Sequence, residues 1–253
     1  MNVEILTRSA IIEKCAILNS FNQTFAINRL KELTKENGIR LNLCFSIDGK
    51  LTEIEYLLFD NTTLTPAQIA ALQKLLNQIT SNCIGMALIN SLINNGHQFD
   101  FSINNSINSQ AFYNATDNTI TLRDPSQLTS NSLMEELYHA YQNFTYPGGT
   151  AQYAGKSGNA NIEYEFKVLN DMISSIYGGT TLGNTATNMD NYKKWIGSLT
   201  NYTSVPNSFN QTQYSFYFIY MNEFYQNDPN HIINYNLYPT TIFSLISHSE
   251  CSN

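Results

Sequence analysis

Leu133-Met134-Glu135-Glu136-Leu137-Tyr138-His139-Ala140-Tyr141-Gln142 is the stretch around which the rest of this chain is best read. Residues four apart on a helix share a face, so Glu135 and His139 can point at one ion. Glu136 lies one step round, where a carboxylate reaches a water held by that ion. Leu133, Leu137 and Ala140 form a stripe on roughly the opposite side, which suits a core. One face for packing and one for ligands is what a metal-binding helix needs. The same letters also fit a structural assignment. Ser132-Leu133-Met134-Glu135 matches a capping box, with Ser132 at the N-cap and Glu135 at N3. Glu136 then complements the helix dipole, and His139 is a partly buried histidine with a hydrogen-bond partner.

Working outward, Phe99–Ile103 and Thr119–Leu122 alternate as strands, with 111–113 between them, and 85–94 has a helical pattern. The motif lies within a helix predicted over 131–143. A second helix is predicted over 160–177, after a loop containing Pro147, Gly148 and Gly149. That helix carries Asn161-Ile162-Glu163-Tyr164-Glu165-Phe166-Lys167, and Glu163 lies twenty-four positions after His139. Its two glutamates compete for one role. Glu165 is followed at helical spacing by Val168, Leu169 and Met172, so periodicity puts it on the apolar face. Glu163 is followed by Phe166, Lys167 and Asn170. Nearby, Gly155-Lys156-Ser157 ends like a phosphate-binding loop, but position 150 is Thr150 rather than Gly and no strand leads into it.

The order strand, loop, motif helix, glutamate-bearing helix resembles the gluzincin zinc metallopeptidases. Their HExxH helix is matched here with Glu135 in place of the first His, and their N-x-E-Y-x-A-D pattern is similar to 161–167. The matching pieces cover about a quarter of the chain. The resemblance implies that Glu135, His139 and Glu163 are metal ligands and that Glu136 is the general base acting on water. It also implies a peptide or protein substrate. A carboxylate binds zinc at about 2.0–2.2 Å, so the His-to-Glu change keeps a site. It makes the site harder, which shifts preference from zinc toward metals such as manganese. The family pattern also puts an Asp four residues after the third ligand, orienting the first His. Lys167 stands there instead. Two outcomes are open: Lys167 pairs with Glu135 beside a retained metal, or its ammonium neutralises the carboxylates and no cofactor is held. The functional expectation is a metal-dependent peptidase or hydrolase. Its alternative is a non-catalytic binding or structural protein on the same scaffold.

Composition bounds these readings. The chain has 253 residues, a formal net charge of −7 and a pI near 5.0. Hydrophobic residues make up 42% and mean hydropathy is −0.26, which excludes a disordered or membrane-embedded class. Charged residues reach 13%, about half the usual quarter, and Asn fills part of the gap. An acidic chain with few cations neutralises few phosphates, so no nucleic-acid partner is expected. No apolar run approaches the ~18–20 residues of a membrane span. The N-terminus lacks a signal-peptide core, so a cytoplasmic location is the default expectation, with non-classical export or virion association left open. Cys15, Cys44, Cys83 and Cys251 lie far apart with no CxxC spacing, and reduced thiols are expected. His97, His231 and His248 show no carboxylate or His at ligand spacing. Oligomeric state is not legible.

In the N-terminal region, 22–37 has a helical pattern stopped by Gly38. Alternating segments flank Asp48-Gly49-Lys50, a hairpin signal. Thr65-Pro66-Ala67-Gln68 opens a helix, with Thr at the N-cap, Pro at N1 and Gln at N3. The fold expected is α+β. A small α/β unit spans 1–80, and a minimal gluzincin-like domain spans 81–253. Helices over 191–199 and 214–225 make up its helical C-terminal part, the second contributing aromatic core.

Overall fold

The computed structural model describes residues 46–47, 50–51, 59–60, 65–95, 97, 99–124, 128–178, 188–200 and 208–247. The helix expected over 22–37 and the Asp48-Gly49 turn lie outside these residues. The backbone divides into two compact units, Met1–Leu58 and Phe59–Asn253. In the first, β1 (Ser46–Ile47) pairs antiparallel with β2 (Lys50–Leu51), Ser46 opposite Leu51 and Ile47 opposite Lys50. The helix that opens at Thr65, grouped by patterning with 1–80, belongs to the second unit.

That second unit is α+β, with seven α-helices and one mixed sheet among the described residues. The strands are β3 (Phe59–Asp60), β4 (Phe99–Ile103), β5 (Ala111–Asn114) and β6 (Thr119–Leu122), in the order β3-β4-β6-β5. β3 and β6 run parallel to β4, and β5 lies antiparallel to β6 at the edge. Phe99, Phe101, Ala111, Tyr113, Ile120 and Leu122 are all buried, and each strand alternates as one-sided burial requires. The turn from β5 to β6 closes on Asn118 at φ 57°, a left-handed conformation that Asn tolerates. Asn114 Oδ1 accepts from the Thr116 N–H and Asp117 Oδ1 from the Thr119 N–H.

The helices are α1 (Pro66–Ile79), α2 (Cys83–Asn94), α3 (Ser130–Thr145), α4 (Asn159–Tyr177), α5 (Met189–Thr200), α6 (Gln211–Tyr225) and α7 (Thr241–Ser247). α1 starts in the expected capping box: Thr65 Oγ1 accepts from the Gln68 N–H, and Gln68 Oε1 from the Thr65 N–H. α3 is the hub, packing against α1, α2, α4, α7 and β5. Its Leu133, Leu137 and Ala140 are buried, as the stripe required, while Glu135, Glu136 and His139 stay partly exposed. The capping box proposed at Ser132 does not form. The N-cap is Thr129, whose Oγ1 accepts from the Ser132 N–H at 3.1 Å, so the helix starts earlier and Glu135 sits beyond its first turn.

α4 follows Gly158, whose φ of +105° and crowding by Tyr153 leave no room for a Cβ. α5 and α6 pack through aromatic rings, Tyr192 on Tyr220 and Trp195 on Tyr220. α6 is only partly the core helix expected. Tyr217, Tyr220, Met221 and Tyr225 are buried, while Phe216 and Ile219 face outward. Cys83, in the first turn of α2, is disulfide-bonded, in contrast to the reduced thiols expected. Among the described residues no helix is long and apolar enough to cross a membrane.

Candidate metal centre

Glu135 and His139 lie one turn apart on α3, and Glu163 lies near the start of α4, which packs against it. One ligand atom from each lies within 4.8 Å of the others. His139 Nε2 is 3.4 Å from Glu163 Oε2. Two donors each about 2.1 Å from a tetrahedral ion are themselves about 3.4 Å apart, so this pair already has the spacing of two ligands on one ion. The donor set of two carboxylates and one imidazole therefore fits a divalent metal.

His139 is held for that role by a residue next to the motif. Its Nδ1 hydrogen-bonds Gln142 Oε1 at 2.8 Å, which leaves Nε2 facing Glu163. Gln142 is fully buried, and its NH₂ donates to Ile162 O and Glu165 Oε2, both at 3.0 Å. Two acceptors on the NH₂ fix the amide's orientation, so the Gln142 oxygen faces Nδ1 and accepts its N–H.

Burial separates Glu163 from Glu165. Glu165 is fully buried, and both its oxygens are occupied. Oε2 accepts from Gln142 Nε2 and Tyr146 Oη, and Oε1 from the N–H groups of Thr241 and Ile242 at the start of α7. Burial pushes its carboxyl up from the usual range, against those hydrogen bonds. Glu165 is thus the anchor of α7, and Glu163 is the carboxylate that meets His139.

Glu136 lies beside the group without joining it. Its Oε2 accepts from the Tyr113 N–H at 2.7 Å, a backbone donor on edge strand β5 that does not serve the sheet. Burial pushes this carboxyl up to about 7, with His139 pulling down and Glu135 pushing up. Burial also resists a charge on His139, but Glu163, Glu136 and Glu135 outweigh it and lift the imidazole to about 10. Burial opposes ionisation of Glu163 as well, yet His139 and Lys167 hold it down at about 2. Lys167 Nζ donates to Glu135 Oε1 at 3.4 Å, completing a second ion pair, and lies 5.5 Å above the Phe224 ring.

Three further residues border the group, and motif reading missed them. Tyr225 Oη is buried with no hydrogen-bond partner, and the charges of Glu163 and Glu135 add to burial in pushing its ionisation well up. His231 stacks on Tyr225 at 4.3 Å, and its charge helps hold Glu163 down. Its Nδ1 bonds Asp228 Oδ2 at 2.7 Å. The expectation that His231 has no carboxylate at useful spacing overlooked Asp228, three residues earlier. No protein-family model, curated protein or solved structure matches this chain.

Proposed function

We propose that this chain is a divalent-metal-dependent hydrolase of gluzincin type acting on peptide or protein substrates. Glu135, His139 and Glu163 hold the ion, and Glu136 is the general base. The observation that carries this reading is the convergence of two carboxylates and a fixed imidazole Nε2 from two packed helices. An ion held there supplies Lewis acidity toward a water and a substrate carbonyl. Zinc suits the imidazole and carboxylates, and the second carboxylate favours a harder ion such as manganese. Glu136 is pinned through Oε2 to Tyr113, which leaves Oε1 to take a proton from water. Its ionisation near 7 matches a base working at neutral pH. His231, oriented by Asp228, is a donor beside Glu163 for the oxygen that gains charge.

A specific observation favours a second reading. His139 with Glu163 and Lys167 with Glu135 form two ion pairs that neutralise the carboxylates without a metal. On that reading the chain is a non-catalytic binding or structural protein. Plasma mass spectrometry on chain purified without chelator separates the two. About one equivalent of zinc or manganese, lost in His139→Ala, is expected, together with peptide-library hydrolysis that disappears in Glu136→Gln. No metal in either protein, even after zinc is added, would favour the ion-paired site. Hydrolysis unchanged in Glu136→Gln would eliminate the assigned base.

A further inference from the structure

Lys167 stands one turn after Glu163 on α4 and reaches across to α3, where its Nζ lies 3.4 Å from Glu135 Oε1. The contact is half-buried, with the Lys167 side chain 18% and the Glu135 side chain 27% exposed. The Phe224 ring, its centroid 5.5 Å from Nζ, attracts the same ammonium. An ammonium held by both a carboxylate and a ring is anchored better than one in an isolated surface pair. Its charge also reaches Glu163, which it helps to hold down.

The pairing changes what Glu135 can offer an ion. Glu135 enters the ligand group through one carboxylate oxygen. With Oε1 engaged by Lys167, Oε2 is the oxygen left for an ion. Two carboxylates bring two negative charges to the centre, and the ammonium offsets one of them. Hard ions of high coordination number gain from carboxylates that offer both oxygens and from uncompensated negative charge. Four-coordinate zinc needs neither. We propose that Lys167 sets the metal preference of this centre: it confines Glu135 to one oxygen and offsets its charge, which favours four-coordinate zinc over six-coordinate manganese. The proposal rests on the metal-centre reading, and it reverses the lean toward manganese that the second carboxylate alone would give. Lys167 is a positioning residue, since it acts through Glu135.

Zinc and manganese are titrated separately into metal-stripped full-length chain, as wild type and as Lys167→Met, which keeps the apolar stem and removes the charge. Nitrogen- and oxygen-ligated sites bind zinc more tightly than manganese in general, so the change in the ratio is what reports on Lys167. Relative to zinc, Lys167→Met should bind manganese about ten-fold more tightly than the wild type does. Cobalt(II) supplies a signature that a merely structural role would not move, because its visible absorption is strong when four-coordinate and weak when six-coordinate. The wild type should give the strong spectrum, and Lys167→Met a weaker one. The wild-type spectrum needs no variant, so the test survives a Lys167→Met chain that does not fold. A weak cobalt spectrum in the wild type, or an unchanged zinc-to-manganese ratio in Lys167→Met, would overturn the proposal and leave the metal centre standing. Failure of all three ions to bind either protein would remove the centre and the proposal together.

Discussion

Two glutamates two residues apart do opposite work in this structure. Glu165 accepts four hydrogen bonds in the core, whereas Glu163 is partly exposed and meets His139. In Glu165→Gln the new NH₂ faces donors whichever way the amide turns, and each orphaned buried donor costs about 1–3 kcal/mol. Urea denaturation is therefore expected to find Glu165→Gln less stable than Glu163→Gln. Metal uptake should show the reverse order, lost in Glu163→Gln and kept by whatever fraction of Glu165→Gln folds. The same residues set a pH dependence for the metal-free chain. His139 keeps its proton up to about 10 when folded but releases it near 6.5 when unfolded, so its contribution is full below 6.5 and fades as pH rises toward 10. Glu163, held at about 2, contributes fully above about 4.5 and loses its contribution as pH falls toward 2. Thermal melts in EDTA should show stability from this pair peaking between those limits, and His139→Gln should flatten both flanks. Equal pH profiles for the two proteins would mean the pair is not formed. The helix motif was legible because a four-residue spacing follows from helix geometry alone. The tie between Glu163 and Glu165 was not, because both sit on one helix and only the partners across it distinguish them.

Elements here are joined by side chains that imitate backbone. Asn161 Nδ2 donates to Asn234 O and Leu237 O, while its Oδ1 accepts from the Asn234 N–H. Asn159 binds Asn230 O and the Ile232 N–H in the same way. Together they fasten the irregular 230–237 segment along the start of α4, and that segment delivers His231 to Glu163. Asn161→Asp keeps the acceptor but turns a carboxylate oxygen toward two carbonyls. It is expected to destabilise by more than Asn161→Ala, and to speed proteolysis within 230–237; equal stability of the two variants would contradict the clamp. At the other end of the site, Thr129→Ala removes the N-cap of α3 and should cost about 1 kcal/mol in a chemical melt. Helix existence was readable from periodicity and cap residues, as the box at Thr65 demonstrates. The helix expected over 131–143 starts at Ser130, and only the alternative cap at Ser132 fails, because Thr129 and Ser132 are both competent caps. Gln110 helps select Thr129, since its Oε1 accepts from both the Thr129 N–H and Ser132 Oγ.

At the scale of the whole molecule, α3 couples the candidate site to global stability, since its back packs on four helices and a strand. A metal bound to the folded chain at a hundred times its Kd should add about 2.7 kcal/mol to unfolding free energy. Thermal shift with zinc and with manganese is expected to raise Tm in the wild type and leave His139→Ala unmoved. An unchanged Tm in both would favour the ion-paired reading. The disulfide at Cys83 makes a separate prediction: denatured, unreduced chain should titrate fewer thiols than its four cysteines. Finding all four would show Cys83 to be reduced.

Local patterning was sufficient for the α+β class, for most helices and strands of the larger unit, and for Glu135, Glu136 and His139 on one side of a helix packed by Leu133 and Leu137. Those features depend on spacing of a few residues, and short-range geometry governs them. Packing between distant segments buried Glu165 and brought Glu163 to His139, held the Gln142 amide through Ile162 and Glu165, and stacked His231 on Tyr225 beside Glu163. The His139–Gln142 and His231–Asp228 bonds join residues three apart and are local. No local rule brings α3, α4 and the 225–231 region together, because those partners lie far apart in the chain and meet only once the elements have packed.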